Sequence, residues 1–255
     1  MDSHSRSTRE SQESVTLLSY NIHKGIGGRD RRYRLERIVN VIQDAAPDIV
    51  CLQEVDRNVR RSHFDDQPHL LSELLDLPHT MFQLNVHLKH GGYGNLLLSR
   101  WPIVEHHQLS LRYSWKKNRG VQLAVIESPH GKFVVAHTHL GLAEKERHWQ
   151  VKHLLEHHLL RPLRHLPTML VGDTNDWRNT LCNGCLKTHG FHLATHPLSK
   201  FRSFPAWMPL GSLDKVFHNP ALIVHDAHLI RTKLAKDASD HLPLCLKFGL
   251  QNGHS

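Results

Sequence analysis

The sequence predicts packed β-sheets covered on the outside by helices. Three observations lead there. Short apolar runs rich in β-branched residues recur at strand length, helical spacing appears in only a few places, and no linker, repeat or low-complexity block divides the 255 residues. A single domain over 15–250 follows, with 1–14 read as a disordered polar lead-in and 251–255 as a frayed tail.

The expected strands are Val15–Ile22, Ile49–Val55, Asn95–Ser99, Val121–Glu127, Phe133–Thr138, Thr168–Val171, Leu213–Phe217 and Leu244–Phe248, each bounded by Gly, Pro, Asn or Asp. A first helix is expected where Leu35, Ile38, Val39, Ile42 and Ala45 follow the i, i+3, i+4, i+7 spacing, with Pro47 ending it. Trp149, Leu154, Leu155 and Leu159 share one face of a second, from about Ala143 to Leu160. Pro68–Leu77 is a third candidate.

Composition narrows the function classes. The chain is 39% hydrophobic, enough for a sizeable core, and its formal charge is +8. A basic balance favours anionic partners such as nucleic acid, phosphorylated ligands or acidic membrane surfaces, without choosing among them. Four cysteines, two of them inside strand-like runs, do not make a disulfide framework and suit a reducing compartment. The polar stretch 1–14 lacks the apolar segment of a secretory signal, and no apolar run spans a bilayer. A cytoplasmic location is expected, with no stable membrane insertion and no obligate protein partner. The 25 histidines are spread along the chain, and the sequence offers no physical reason for the excess.

The informative pattern is where polar groups fall relative to the strands. Val15–Ser19 runs into Tyr20-Asn21-Ile22-His23, and Ile49–Leu52 into Gln53-Glu54. Phe133–Ala136 runs into His137-Thr138-His139, and Thr168–Val171 into Gly172-Asp173-Thr174-Asn175. Asp214 opens one strand, and Asp240-His241 precede the last. If these ends converge, Glu54, Asp173, Asp214 and Asp240 crowd together. Four carboxylates without a counter-charge are unfavourable, which implies a cation. Oxygen-rich ligation without cysteine suits Mg²⁺ or Mn²⁺ better than zinc, and histidine beside such an ion suggests phosphate chemistry. Any one of these motifs alone reads as a turn. Six in one chain do not.

Their order carries a resemblance. N-I-H-K-G, L-Q-E-V, G-N-L-L-L-S-R-W-P, T-H-L-G, G-D-T-N, L-D-K-V-F and S-D-H-L-P together resemble the endonuclease/exonuclease/phosphatase (DNase I-like) superfamily, over roughly residues 15–248. The resemblance implies an α+β fold, a four-layer α/β/β/α sandwich with two packed mixed sheets, and a divalent-metal phosphohydrolase. It further implies Glu54 as principal metal ligand, with Asn21 beside the metal and Asp240 as an auxiliary ligand. Asp173 would orient and deprotonate water, and Asn175 would assist at the phosphate. His139 and His241 would be the catalytic histidines, with Asp214 orienting the second. Arg100 would lie near the substrate phosphate, and Tyr93 would line the groove. Thr174 stands where Phe is common in the family, and Gly91–Asn95 replaces the element that marks abasic-site enzymes. The whole looks most like the small bacterial members.

Three readings of function follow. The first is a Mg²⁺- or Mn²⁺-dependent phosphodiester hydrolase, nuclease-like. The second is a phosphatase or a phospholipid or sphingolipid phosphodiesterase with the same site. The third is a non-catalytic protein that binds nucleic acid or a phospho-ligand. The substrate is accordingly a phosphodiester or phosphomonoester, with nucleic acid among the candidates. Cys182 and Cys185 with His189 and His192 offer a rival zinc centre, but the spacing fits no standard finger and Asn183-Gly184 reads as a turn. Lys116-Lys117, Arg119 and the run 29–34 read as solvated surface or as a cradle for a polyanion. Trp207, Met208 and Leu210 read as ordinary packing or as a membrane-touching loop.

Overall fold

A computed structural model describes residues 14–251. The lead-in expected over 1–14 falls outside these residues except for Ser14, and the tail expected over 251–255 falls outside them except for Gln251. Two six-stranded sheets pack face to face. In spatial order the first contains β11 (Leu222–Leu229), β12 (Leu244–Leu250), β1 (Val15–Asn21), β2 (Ile49–Arg57), β4 (Gly92–Ser99) and β3 (His79–His87). The second contains β5 (Ile103–Ser110), β6 (Gly120–Ser128), β7 (Gly131–His139), β8 (Thr168–Asp173), β10 (Asp214–His218) and β9 (His192–Leu193).

The helices cover the outside, as expected for the α+β sandwich. Helix α1 (Leu35–Ala45) packs against α2 (Gln67–Leu75) on one side and α5 (Lys233–Ala238) on the other, all on the first sheet, while α3 (Glu144–Glu156) and the short α4 (Cys185–Thr188) cover the second. Between the sheets Phe133 meets Phe248 edge-to-face with ring centroids 5.3 Å apart, both fully buried. Burying such a side chain stabilises by about 1.5–3 kcal/mol. On the outer face of the second sheet, Leu123, Ala136, Leu170 and Phe217 pack against Val151, Leu154 and Leu155 of α3.

Helix boundaries have local causes. Helix α1 ends where Ala46 turns left-handed one residue before Pro47. Helix α2 starts at Gln67 because the Asp66 side chain accepts the His69 amide, with Pro68 in the first turn. The second expected helix stops at Glu156, four residues early, because His157 goes extended and the chain tightens into a 3₁₀ turn over Arg161–His165.

Four strands were not anticipated: β3, β5, β9 and β11. All four are sheet edges. Edge strands carry polar and charged side chains that blunt their free hydrogen-bonding rows, so they lack the apolar run that marks an inner strand. This also explains part of the histidine excess. His79 and His87 lie on β3, His106 and His107 on β5, His192 on β9, and His225 and His228 on β11.

The topology gathers the polar strand ends at one edge. β1 runs parallel to β2, and β7 parallel to β8, so each pair ends on the same side. β10 is antiparallel to β8 and starts there, with Asp214 opposite Asp173. β12 is antiparallel to β1, so the residues just before Leu244 meet the end of β1. No helix among the described residues is long and apolar enough to cross a membrane.

Candidate active site

At this edge Asp173 is the centre of a buried cluster. Its Oδ2 accepts a hydrogen bond from Asn21 Nδ2 at 3.0 Å and lies 3.3 Å from His139 Nε2 and 3.7 Å from His241 Nε2. Its Oδ1 accepts the Asn175 amide at 2.9 Å. Gly172, just before it, has φ 139°, and a Cβ there would stand 1.9 Å from the Thr138 carbonyl oxygen. Only glycine lets β8 approach β7 this closely.

The two histidines are held differently. His241 donates from Nδ1 to Asp214 Oδ2 at 2.8 Å, and the same oxygen accepts Ser203 Oγ at 2.5 Å. The His241 amide donates to Ser239 Oγ at 3.3 Å, and that hydroxyl donates to the Asn21 carbonyl at 2.7 Å, tying the last motif to the first. Burial alone would lower the His241 pKa, but Asp214 and then Asp173 outweigh it and raise it to about 10. His139 has no such acid behind it. Burial, then the charges of Arg119, His241, Lys24 and Lys117, hold its pKa well below the ordinary imidazole range. Burial likewise raises the Asp173 carboxyl above the usual carboxylate range, against the pull of His241. A basic carboxylate between a neutral imidazole and an imidazolium can accept a proton beside a donor for a developing anion.

Glu54 stands at a bulge in β2, where the register against β4 shifts between Leu52 and Val55, with φ 58°. Such a bulge re-aims a side chain at a strand end. Its carboxylate pairs with Lys24, which lowers its pKa against the opposing effect of burial. Asp240 Oδ2 lies 3.9 Å from His23 Nε2. Asn175 is left-handed and donates from Nδ2 to the Leu140 carbonyl at 3.0 Å. Tyr93 lies on β4 opposite Asp56, near Lys24, Arg61 and Lys117.

The oxygens of Glu54, Asn21 and Asp240 suit a hard divalent cation, because Mg²⁺ takes only one or two carboxylates from a protein and keeps several waters. Lys24 holds Glu54 here, and among the described residues no three His, Cys, Asp or Glu are grouped to hold a metal. A cation at Glu54 must therefore displace the Lys24 ammonium.

One expectation is corrected, and one rival reading gains no support. Arg100 is not at this edge. Ser99 pairs with Ile49 at the start of β2, so Arg100 lies at the opposite end of the sheet, where its Nε stands 3.3 Å from Asp48 Oδ1. β4 runs antiparallel to β2, and its C-terminal end points away from the site. Nor do Cys182, Cys185, His189 and His192 form a metal group: Cys182 and Cys185 are half-buried against the α3 core, and His189 Nδ1 bonds the Cys185 carbonyl at 2.8 Å.

Sequence reasoning missed several supports. Ser203 and Ser239 orient Asp214 and His241; Ser239 stands beside Asp240-His241 in the sequence, whereas Ser203, eleven residues before Asp214, had no such signal. Lys215 is buried, donating to the Ser212 and Asp176 carbonyls, the latter at 3.1 Å, and so braces the loop after Asp173. His137 is structural. It lies between the sheets, 2.8 Å from both Gln122 Oε1 and Gln53 Nε2, and burial lowers its pKa to about 3.

Both the sequence and the fold have known relatives. E. coli K12 YbhP, an uncharacterised protein, is 32% identical over 252 residues, covering 94% of this chain and 98% of its own. An endonuclease/exonuclease/phosphatase from Beutenbergia cavernae superposes with a TM-score of 0.79 at 24% identity, over 93% of this chain and 72% of its own. The human Nocturnin catalytic domain, solved with a bound sulfate anion, gives 0.69 at 22%, over 94% of each chain. Residues 18–241 match the Endonuclease/Exonuclease/phosphatase family as a whole, and the chain belongs to that family.

Proposed function

We propose that this protein is a divalent-metal-dependent phosphodiester hydrolase in which Asp173 activates the attacking water. The family is generally one of phosphoric-ester hydrolases, which supports the reaction class. The observation that carries the reading is Asp173 set between His139 and His241, at 3.3 and 3.7 Å.

In this reading water loses a proton to the Asp173 carboxylate as its oxygen attacks phosphorus, and the bond to the leaving oxygen, in line with the attack, breaks. The leaving oxygen takes a proton from solvent, so one water is consumed. His241 donates a hydrogen bond from Nε2 to a non-bridging oxygen as negative charge grows there, and Asp214 fixes its orientation through Nδ1. His139 donates or accepts without adding charge. Asn21 holds Asp173 Oδ2 in place. Mg²⁺ or Mn²⁺, held by Glu54 with Asn21 and Asp240 nearby, would supply a Lewis acid for a phosphoryl oxygen.

Hydrolysis of bis-p-nitrophenyl phosphate in Mg²⁺, Mn²⁺ or EDTA tests this. Turnover with either metal and its loss in EDTA is expected. No turnover with any metal would favour a binding protein instead.

A further inference from the structure

We infer that the wall of the site built around Tyr93 is a second anion subsite, which takes a phosphate group of the substrate other than the one hydrolysed. The inference rests on the hydrolase reading for the first phosphate.

Three cations crowd one aromatic ring. Lys24 Nζ lies 5.6 Å from the Tyr93 ring centroid, the Arg61 guanidinium carbon 5.1 Å and Lys117 Nζ 5.1 Å. A ring face attracts one cation through its quadrupole but does nothing for the repulsion among three. Two have carboxylate partners: Lys24 pairs with Glu54, and Arg61 grips Asp56 through two bonds of 2.8 and 2.7 Å.

Arg119 adds a fourth cation beside the reacting groups. It immediately precedes β6, whose pairing of Val121 with Thr138 brings Gly120 alongside His139, and Thr138 Oγ1 donates to the Gly120 carbonyl at 3.1 Å. Arg119 is only 7% exposed and its Nε has no hydrogen-bond partner. Among the described residues neither Arg119 nor Lys117 has an acid within ion-pair distance. Burying a guanidinium without a counter-charge is unfavourable unless something else brings the charge. The depressed imidazole of His139, to which Arg119, Lys24 and Lys117 all contribute after burial, places their positive field next to the reacting phosphate.

The chemistry of the occupant follows from this excess charge. The two unpaired cations, Lys117 and Arg119, match a further dianion. Guanidinium forks and ammonium groups are the usual phosphate binders. The occupant is a second phosphate, supplied either by a small bisphosphorylated ester or by the terminal phosphate of a short nucleotide chain.

The test is isothermal titration of the full chain in EDTA with two matched pairs of probes. Glucose 1,6-bisphosphate is compared with glucose 1-phosphate, and 5′-phosphorylated with unphosphorylated thymidylyl-thymidine, whose single phosphodiester is the only phosphate of the control. The second phosphate should tighten Kd at least ten-fold in one pair or both, and the pair that responds identifies the source. Arg119→Met should abolish that gain, and Lys117→Met, at an exposed position where folding is not at stake, should cut it several-fold. Equal binding with and without the second phosphate overturns the inference, as does a gain that survives in both variants. Bis-p-nitrophenyl phosphate, which has no second phosphate, is followed in parallel on the wild type. Failure there strikes the hydrolase reading, whereas failure of the titration strikes only this subsite.

Discussion

His139 and His241 are both buried and both reach Asp173 through Nε2, yet their pKa values are pushed in opposite directions, His139 toward the neutral ring and His241 toward the imidazolium. The difference lies in what stands behind each ring. His241 has Asp214 at 2.8 Å, whereas His139 faces Arg119, Lys24 and Lys117. One half of the site is thus an acid-backed donor, and the other is a ring that burial first, and a cationic wall second, keeps neutral. Burial acts on both in the same direction, so the partner decides the charge.

Removing the group between the two halves should have the largest effect. Asp173→Asn keeps the shape but cannot take a proton, and kcat for bis-p-nitrophenyl phosphate should fall by about 10²–10⁴-fold or more. Near wild-type turnover in a folded Asp173→Asn protein would remove Asp173 from the proposed role.

Asp214→Asn would make the two histidines alike. Its loss lowers the His241 pKa from about 10. The alkaline limb of kcat/KM against pH should move down, and kcat at neutral pH should drop by roughly 10²-fold, as for the loss of one preorganised donor. An unmoved alkaline limb would show that Asp214 does not set the charge of His241.

The same contrast has opposite consequences for stability. The folded pKa of His139 is lowered, and that of His137 stands at about 3. Below the unfolded imidazole value near 6.5 the unfolded chain binds protons that these residues refuse, so their contribution is present above that pH and is lost as pH falls toward 3. The folded pKa of His241 is raised, so its contribution is full below 6.5 and is lost as pH rises through about 10. Denaturant melts of wild type and His137→Gln across pH 4–8 should diverge least at the acid end. A constant difference would contradict the sign.

Much of this edge was legible because inner strands do not need polar ends. Asn21, Glu54, His139, Asp173 and Asp214 each stand at the end of an apolar run or open one, and the structure brings Asn21, His139, Asp173, Asp214 and His241 into one hydrogen-bonded and ion-paired cluster. Arg100 failed because a residue's place at a strand end says nothing of which way the strand runs, and β4 ends on the far side. The four edge strands were hidden by polar composition, and Ser203 and Ser239 by the lack of any periodic signal. The cationic wall was half visible: Lys117 and Arg119 lie in a basic run, but only the fold brings Tyr93 to them.

Arg100→Ala should have the smallest effect. Its exposed pair with Asp48 is worth about 0–1 kcal/mol, and turnover should stay within about two-fold of wild type. A larger loss would return Arg100 to the site.

The charge states themselves are open to direct measurement. NMR titration of the imidazole nitrogens of His139 and His241 in metal-free protein should show His241 remaining an imidazolium until about pH 10 and His139 staying neutral well below pH 6.5. Two rings titrating together near pH 6.5 would contradict the division of the site into an acid-backed donor and a cation-faced neutral imidazole.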